Sequence, residues 1–317
     1  MDKNNYKHIF GPVPSRRLGY SLGVDIVPYK VCSYDCIYCQ LGQTTEKTIK
    51  RKPYFKIKDI IEELKERLSN NKDIDHITLS GSGEPTLNKN FGEIIKEIKN
   101  LTDIPVAVLT NGSLLWDDNV IEDLLPSDLV IPSLDAGSNS VFNKINRPSN
   151  DLSFENVVSG LKKLSNNYKN PIWLEIFWAA GVNNTKKEIK NLADIIKDIR
   201  LDKIQFNTVA RPPCEDTCHG LSKIELMEIS GYFNHSNIEV IGEFNKVFEE
   251  KNFQYKELEV MNLIKRRPCS IHNISNGLNI HKNEVVKYLG HFEKQNILKI
   301  EKIGNISYYS FKQEKTT

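Results

Sequence analysis

Residues 31–39 read VCSYDCIYC, in which Cys32, Cys36 and Cys39 follow the spacing C-x-x-x-C-x-x-C. The loop therefore offers three thiolates close together in the chain. A structural zinc site closes its tetrahedron with four ligands, and a 4Fe-4S cluster that only carries electrons is usually held by four cysteines. Three cysteines would leave one iron of such a cluster open to bind a substrate or cofactor. The spacing predicts a reaction centre at this loop.

A zinc site is the alternative explanation of the three thiolates. It would need a fourth ligand from elsewhere in the chain, and His8 and His76 are the candidates. The chain has six cysteines, and residues 1–5 carry no apolar stretch of the kind found in a secretion signal. This pattern indicates metal-binding thiolates in a reducing compartment rather than a disulfide framework.

Length and composition indicate a soluble protein with two domains. The chain has 317 residues, of which 39% are hydrophobic and 26% are charged, as is ordinary for a globular protein. It contains no run of about 18 apolar residues, so we expect no membrane span and a cytoplasmic location. We place the first domain at residues 1–250 and the second at residues 255–313.

Charge is distributed unevenly between these two parts. Residues 255–317 contain 11 Lys and Arg against 6 Asp and Glu, which gives +5. Subtraction from the totals of 43 and 41 leaves 32 basic and 35 acidic residues, or −3, for residues 1–254. Lys282, Lys287 and Lys294 recur along one predicted helix and could approach phosphates. A basic tail favours an anionic partner such as RNA, although an ordinary solvated surface explains the same charge.

Short apolar segments alternate with amphipathic ones through the first two thirds of the chain. The segments with the character of strands are residues 22–27, 76–80, 106–109, 129–132, 172–177 and 203–207. Between them, residues 57–68, 91–98 and 186–199 place apolar side chains at helical spacing. The alternation predicts parallel β-α units, which gather their ligands at the carboxyl ends of the strands.

Polar and glycine-rich segments follow these strand ends. The cysteine loop follows the first strand. The segments after the second, third, fourth and sixth strands are residues 81–84, 110–112, 133–135 and 207–208. We therefore expect these loops to build one site together with the cysteines.

The tail has a different pattern. Residues 257–265, 271–276 and 282–295 have helical periodicity, and residues 297–303 and 306–311 alternate on either side of a Gly-Asn turn. Three helices followed by a hairpin are typical of a winged-helix domain. Such domains bind nucleic acid or contact another protein.

The cysteine spacing, with the aromatic Tyr38 directly before Cys39, resembles the signature of the radical S-adenosylmethionine (SAM) superfamily. This resemblance covers about residues 20–210. Residues 11–19, GPVPSRRLG, and residues 23–25, GVD, resemble a narrower group related to the archaeal enzymes of wyosine synthesis on transfer RNA. The resemblance implies an α/β fold with a partial (β/α)6 TIM-like barrel of the radical SAM type, followed here by the winged-helix domain.

The superfamily resemblance also implies a 4Fe-4S cluster and SAM as cofactors. Cys32, Cys36 and Cys39 would hold the cluster, and the remaining iron would chelate SAM. One electron from an external donor, flavodoxin or ferredoxin, would then release a 5'-deoxyadenosyl radical that abstracts hydrogen from a substrate. The narrower resemblance suggests a transfer RNA base as that substrate. The alternatives are a nucleic-acid-binding redox or iron sensor, and a radical SAM modifier of a peptide or protein.

Cofactor contacts are assigned by resemblance at matching positions. Gly81, Ser82, Gly83 and Glu84 match the loop that accepts the methionine ammonium, and a Rossmann loop is excluded because Thr86 stands where its third glycine would fall. The other implied SAM contacts lie on the cysteine loop and at strand ends, and they are Tyr38, Asn111, Ser133, Asp135, Glu175 and Asn207. A polar residue at a strand end can instead serve only to tie down a loop.

Some arginines and cysteines have more than one interpretation. Arg16 and Arg17 are candidate anchors of substrate or of a loop, and Arg211 could face the cavity. Arg147 could meet a carboxylate or phosphate, or form a surface ion pair. Cys214, Cys218 and His219 could ligate a second cluster or a metal, or one thiol could donate a hydrogen atom, but free thiols explain them equally. We expect Cys269 to pack between the helices of the tail.

Two features depart from the wyosine enzymes. The archaeal enzymes carry an additional set of cysteines on the N-terminal side, whereas no cysteine precedes Cys32 in this sequence. The eukaryotic relatives carry a flavodoxin domain that this sequence lacks. Both departures bear on the wyosine reaction and leave the superfamily resemblance intact.

Overall fold

The computed structural model describes residues 8–15, 17–69, 74–209, 214–215, 217–241, 253–266, 268–278, 280–303 and 306–312. Arg16, Arg211 and the predicted Gly-Asn turn at residues 304–305 lie outside the described residues. Among the helices that the structure describes, none has the length and apolar character that crossing a membrane requires.

The elements alternate as the sequence predicts. The strands are β1 (Ile9–Ser15), β2 (Gly19–Val24), β3 (Val31–Cys32), β4 (Glu46–Lys47), β5 (His76–Leu79), β6 (Val106–Thr110), β7 (Leu129–Pro132), β8 (Trp173–Trp178), β9 (Lys203–Thr208), β10 (Ile238–Val240), β11 (Leu298–Ile303) and β12 (Ile306–Phe311). The helices are α1 (Ile57–Ser69), α2 (Phe91–Leu101), α3 (Asp118–Leu124), α4 (Asn139–Ile145), α5 (Phe154–Asn167), α6 (Lys186–Ile196), α7 (Lys223–Ser230), α8 (Phe253–Arg266), α9 (Ile271–Leu278) and α10 (Lys282–Lys294).

All six predicted strands are present as β2 and β5 to β9. β2, β5, β6 and β7 pair in parallel, as do β8 and β9. Parallel bridges from Val130 to Ile172 and from Ser133 to Glu175 join β7 to β8, so the series runs continuously in chain order. Among the described residues, no pairing closes the series into a ring. The sheet is therefore open, as a partial barrel requires.

The first predicted strand is displaced from its expected position. We expected it at residues 22–27, but β2 begins at Gly19 and ends at Val24. The reason is a strand that the sequence pattern did not indicate, β1, which pairs antiparallel with β2. A second such strand, β10, pairs in parallel with β9 at the other end of the series.

The two faces of the strands have different environments. Leu22, Val24, Val106 and Val108 are fully buried against the helices, whose apolar sides form the main core. The opposite face carries a smaller apolar cluster that includes Leu18. Ser153 and Thr185 cap α5 and α6 by accepting backbone N–H groups, which fixes where these covering helices begin.

The tail has a hydrophobic core of its own. Its three helices α8, α9 and α10 pack with the antiparallel hairpin of β11 and β12 around buried residues that include Val285 and Phe292. Cys269, which we expected between the helices of the tail, is fully buried in this core and pairs through its backbone with Tyr309 of the hairpin. The helix α10 also packs against β1 of the body.

Candidate functional site

Each sulfur of the cysteine loop faces one side-chain N–H donor. The donors come from three parts of the chain, namely the loop after β6, the residue that ends α4, and the residue before β3. The donor and sulfur pairs are Asn111 Nδ2 to Cys32 Sγ at 3.5 Å, Asn146 Nδ2 to Cys36 Sγ at 3.5 Å, and Lys30 Nζ to Cys39 Sγ at 3.0 Å. Such contacts stabilise negative charge on sulfur.

The protonation of these groups follows from burial and mutual charge. Burial raises the pKa of Cys32 to about 12 and raises the pKa of Cys36 well above its ordinary value. For Lys30, burial alone would lower the pKa, but the thiolate charges, led by that of Cys39, outweigh this and raise it. Thiols with raised pKa values must lose protons when they bind metal, so assembly of a cluster would release protons here.

The donor set fits an iron–sulfur cluster better than zinc. Within the part of the chain that the structure describes, no three His, Cys, Asp or Glu side chains are arranged to hold a metal ion. A cluster places its ligands on separate irons, so its thiolates need not converge on one point. The ring Nδ1 of His76 lies 3.0 Å from the carbonyl of Leu18, and the ring of His8 packs on Phe55. Each of the two candidate histidines thus has a contact of its own away from the cysteines.

Glu84 anchors the glycine-rich loop that follows β5. Its buried carboxylate accepts hydrogen bonds from the Thr86 N–H (3.1 Å) and hydroxyl (2.6 Å), the Thr110 hydroxyl (2.7 Å) and the Asn111 N–H (2.7 Å). Burial raises the pKa of Glu84, and these bonds oppose that rise. Of these four hydrogen bonds, Oε2 accepts only the one from the Asn111 N–H. Oε2 can therefore accept a further hydrogen bond from an ammonium group.

The glycines of this loop allow a close approach to the segment before the cysteines. A Cβ built on Gly81 would lie 2.4 Å from Cγ of Asp25, and one on Gly83 would lie 1.9 Å from the carbonyl oxygen of Val31. Between them, Ser82 donates its N–H to Asp25 Oδ2 at 3.1 Å. The loop can therefore lie against the cysteine segment only with glycine at both positions.

Asp135 ties the end of β7 to two other parts of the site. Its carboxylate accepts from the Phe177 N–H (2.8 Å), the Tyr38 hydroxyl (2.5 Å) and Asn146 Nδ2 (2.7 Å). Burial raises the pKa of Asp135 to about 6. The ring of Tyr38 stacks on Phe177 with centroids 3.9 Å apart. The structure thus brings Tyr38 and Asp135 together beside the cysteines.

The remaining predicted SAM contacts lie on neighbouring strand ends. Glu175 forms an ion pair with Arg17, so the carboxylate that we assigned to SAM already has a cationic partner. Ser133 lies beside Glu175 in a parallel bridge. Asn207, on β9, accepts the N–H of Thr208 at 3.0 Å through its side chain. Their contacts with SAM stay predictions.

The segment that carries Cys214 and Cys218 contacts the cysteine loop through Glu215. The Glu215 N–H donates to the Ile37 carbonyl (3.0 Å), and the Glu215 carboxylate accepts from Arg147 (2.8 Å). Burial raises the pKa of Cys214 to about 11, with a further rise from the charge of Cys39. Cys218 is buried in the main core instead, and His219 is exposed. Of these three residues, Cys214 is the one whose pKa responds to the charge of the cysteine loop.

Three residues of the site were missed from the sequence. Lys30 and Asn146 donate to sulfur, and Asp25 holds Ser82 through Oδ2. The neighbouring Arg147 was a predicted contact of substrate or phosphate, but no sequence pattern indicated a role for the amide of Asn146. The signal for Asp25 was its place in the GVD segment.

The comparison with known families decides the classification. The family described as the Radical SAM superfamily matches residues 26–196, which is 171 of the 317 residues. The chain belongs to the radical SAM superfamily. Members of this superfamily are enzymes that use a 4Fe-4S cluster and SAM, so these are the cofactors of this radical SAM enzyme.

Relatives extend over nearly the whole chain. A UPF0026 protein of Methanocaldococcus jannaschii is 34% identical over 308 residues, covering 94% of this chain and 94% of the relative. A protein of Brachyspira hyodysenteriae named GTPase Obg is 37% identical over 307 residues, covering 96% of this chain. This radical SAM chain spans only 45% of the length of that relative. The name GTPase Obg belongs to the longer protein.

A solved structure supports the fold. A radical SAM methyltransferase from Sphaerobacter thermophilus matches with a TM-score of 0.54 at 12% identity, covering 69% of this chain and 64% of that chain. At this identity the likeness concerns the radical SAM α/β fold alone.

Proposed function

We propose that this enzyme binds SAM beside a cluster held by Cys32, Cys36 and Cys39, and that a 5'-deoxyadenosyl radical formed there abstracts hydrogen from a substrate. The observation that carries the proposal is the N–H donor opposite each of the three sulfurs. Three anionic ligands with matched donors suit a cluster that keeps one iron open. When bound, the reduced cluster supplies the electron that breaks a carbon–sulfur bond of SAM.

The residues around the cysteines have separate tasks in this proposal. Glu84 accepts the methionine ammonium through Oε2, which has spare capacity. Asp135 and Asn111 fix the loops that surround SAM, because each is bonded to a cysteine or to a residue of the cysteine loop. The stacked rings of Tyr38 and Phe177 exclude water from the radical and offer an apolar surface to the adenine.

We propose an RNA base, in the first instance of transfer RNA, as the substrate. The support is the net charge of +5 in residues 255–317 and the position of the hairpin. Lys302 of β11 donates to the carbonyl of Cys214 at 2.9 Å, so this strand lies beside the loop that contacts the cysteine segment. Lys299 on the same strand is 60% exposed and forms a surface ion pair with Glu301, which a phosphate would have to displace. A basic hairpin there could contact the phosphates of a strand whose base enters the site.

The helix α10 is less suited to this task than the sequence suggested. Its first residue, Lys282, holds its ammonium 3.6 Å from the ring centroid of Tyr29 in the body. Glu284 in the same turn accepts the Gly11 N–H at 3.0 Å in a buried contact. A nucleic-acid sensor that reads a groove with α10 would need this face free. The contacts therefore favour the enzyme over the sensor.

We further propose that residues 1–250 and 255–313 are separate domains and that the second is a winged helix. The separate tail core and the order of three helices and a hairpin support this division. We also propose a reducing cytoplasm and an external one-electron donor, flavodoxin or ferredoxin. The structure describes all six cysteines and joins none of them in a disulfide, which agrees with a reducing compartment.

Anaerobic reconstitution tests the chemistry. The chain is loaded with iron and sulfide, reduced with dithionite and mixed with SAM, and 5'-deoxyadenosine is measured by chromatography. Its appearance supports the radical step, whereas a stable cluster with intact SAM contradicts it. Binding of transfer RNA to the full chain is then measured across salt concentrations. Steep weakening with salt is expected for phosphate contacts, and salt-independent binding or none argues for a peptide or other substrate.

A further inference from the structure

The N-cap residue of α10, His281, makes a specific contact with the body. The ring of His281 stacks on Phe10 of β1, with centroids 4.6 Å apart and an interplanar angle of 14°. Its Nε2 lies 3.1 Å from Oδ2 of Asp25, and both side chains are largely buried. The contact joins residues 256 positions apart in the chain, so it depends on docking of the tail.

The hydrogen bonds of His281 determine which ring nitrogen carries the proton. Nδ1 accepts the N–H of Asn283 at 3.2 Å and so caps α10. A neutral ring that accepts at Nδ1 carries its proton on Nε2. The Nε2–H group is therefore a donor, and Asp25 Oδ2 is its acceptor. The helix cap and the contact with the body are made by the same ring.

Asp25 passes this contact on to the glycine-rich loop. Its Oδ2 also accepts the N–H of Ser82 at 3.1 Å and the hydroxyl of the same residue. Cγ of Asp25 fills the space next to Gly81. The tail thus reaches, through one carboxylate, the loop that precedes Glu84.

The buried carboxylate of Asp25 is compensated in part by groups at the start of α10. Oδ1 is buried and accepts no hydrogen bond from the residues that the structure describes. The nearby ammonium of Lys282 compensates part of the charge: burial lowers the pKa of Lys282, and Asp25 opposes that lowering. Both the donor and this ammonium belong to the first turn of α10 or its cap. Without α10, Asp25 would lose the His281 donor and the Lys282 ammonium and would keep Ser82 as its described donor.

We propose that His281 and Asp25 are positioning residues for the SAM-binding loop, so that docking of α10 on the body sets the affinity for SAM. The inference rests on the proposed function in one respect, namely that residues 81–84 bind SAM. His281 touches neither the cluster nor SAM in this proposal. It acts through Asp25 on Ser82, and Ser82 in turn fixes the backbone that leads to Glu84.

The test compares three variants of the full chain. His281→Ala removes the donor, and His281→Gln restores a side-chain N–H that can reach Asp25. The control, Val285→Ala, loosens the tail core without touching Asp25. Two quantities are measured: the SAM dissociation constant of reconstituted protein at equal iron content, and amide hydrogen exchange of residues 81–88 in metal-free protein.

We expect His281→Ala to weaken SAM binding about tenfold, as is typical when a supporting contact behind a ligand-binding group is lost. KM for SAM should rise while kcat at saturating SAM changes little, and exchange of residues 81–88 should become faster. His281→Gln should recover most of the affinity. Val285→Ala should leave the dissociation constant and the exchange of this loop unchanged.

Two results would overturn the proposal. One is a His281→Ala variant with the affinity and loop exchange of the wild type. The other is a Val285→Ala variant that weakens SAM binding equally, because the effect would then belong to tail stability. The hydrogen exchange measurement needs no cluster, so it tests whether His281 orders residues 81–88 even if the wild type cleaves no SAM. If the wild type cleaves SAM and His281→Ala binds it normally, only the positioning role fails.

Discussion

Replacement of Lys30 by methionine should lower the midpoint potential of the cluster. Lys30 is 3% exposed, and its ammonium lies 3.0 Å from the sulfur of Cys39. Methionine has a similar length and no charge, so the packing is kept while the cation is removed. Because the reduced cluster carries one more negative charge than the oxidised cluster, losing a nearby cation disfavours reduction.

The size of the shift follows from this distance. An electron added to the cluster lies beyond the sulfur, so 3.0 Å is the shortest distance that applies. With an effective dielectric constant of about 20, the Coulomb energy at that distance is at most about 5.5 kcal/mol. A hydrogen bond to a charged group contributes about 1.5–3 kcal/mol. For a one-electron couple, about 59 mV corresponds to a tenfold change in the equilibrium constant, or about 1.4 kcal/mol. The range for the hydrogen bond therefore corresponds to a fall in the midpoint potential of about 65–130 mV.

A redox titration followed by electron paramagnetic resonance measures the shift on reconstituted protein. The matched control is Lys47→Met, because Lys47 pairs with Cys32 between β3 and β4 but has an exposed side chain. Solvent screens that charge, so the control should shift the potential far less than Lys30→Met. A Lys30→Met protein with full iron content and the potential of the wild type would refute the reasoning.

Three further variants test the site. Cys36→Ala should abolish both the cluster and SAM cleavage, whereas the control Cys269→Ala in the tail core should retain both. Iron analysis and the 5'-deoxyadenosine assay measure these properties, and a Cys36→Ala variant that still cleaves SAM would contradict the ligand assignment. Glu84→Gln should lower the free energy of unfolding by about 2–3 kcal/mol, because an amide nitrogen would face a buried donor; an unchanged denaturant midpoint would contradict this. The double variant Cys214→Ser, Cys218→Ser should keep the iron content of the wild type, since the two thiols lie in different environments. Loss of about four irons would instead establish a second cluster.

The strands of the body could be predicted because each is a short apolar run bounded by polar or glycine-rich residues. Their carboxyl ends then located the loops of the site. β1 could not be found in this way, since Gly11, Pro12 and Pro14 disfavour a strand by local preference. Its pairing with β2 comes from tertiary contacts, and it is also the reason that β2 begins earlier than expected.

The donors of the site were harder to predict than its ligands. Cysteines at fixed spacing form a local pattern, whereas the amide that faces Cys36 comes from Asn146, 110 positions further along the chain. The same holds for His281, whose partner is set by docking of the tail. For Asp135, the sequence left two interpretations open. The structure gives it three donors from the protein itself, which is the loop-tying role, and its contact with SAM stays a prediction.

The N-terminal strand also bears on how the protein avoids self-association. An open parallel series leaves an outer strand whose N–H and C=O groups could recruit another chain. Here β1 covers that side of β2, and its register breaks between Phe10 and Val13. Pro12 and Pro14 within it have no N–H group to offer to a further strand. The sheet therefore ends in a strand that is a poor template for intermolecular pairing.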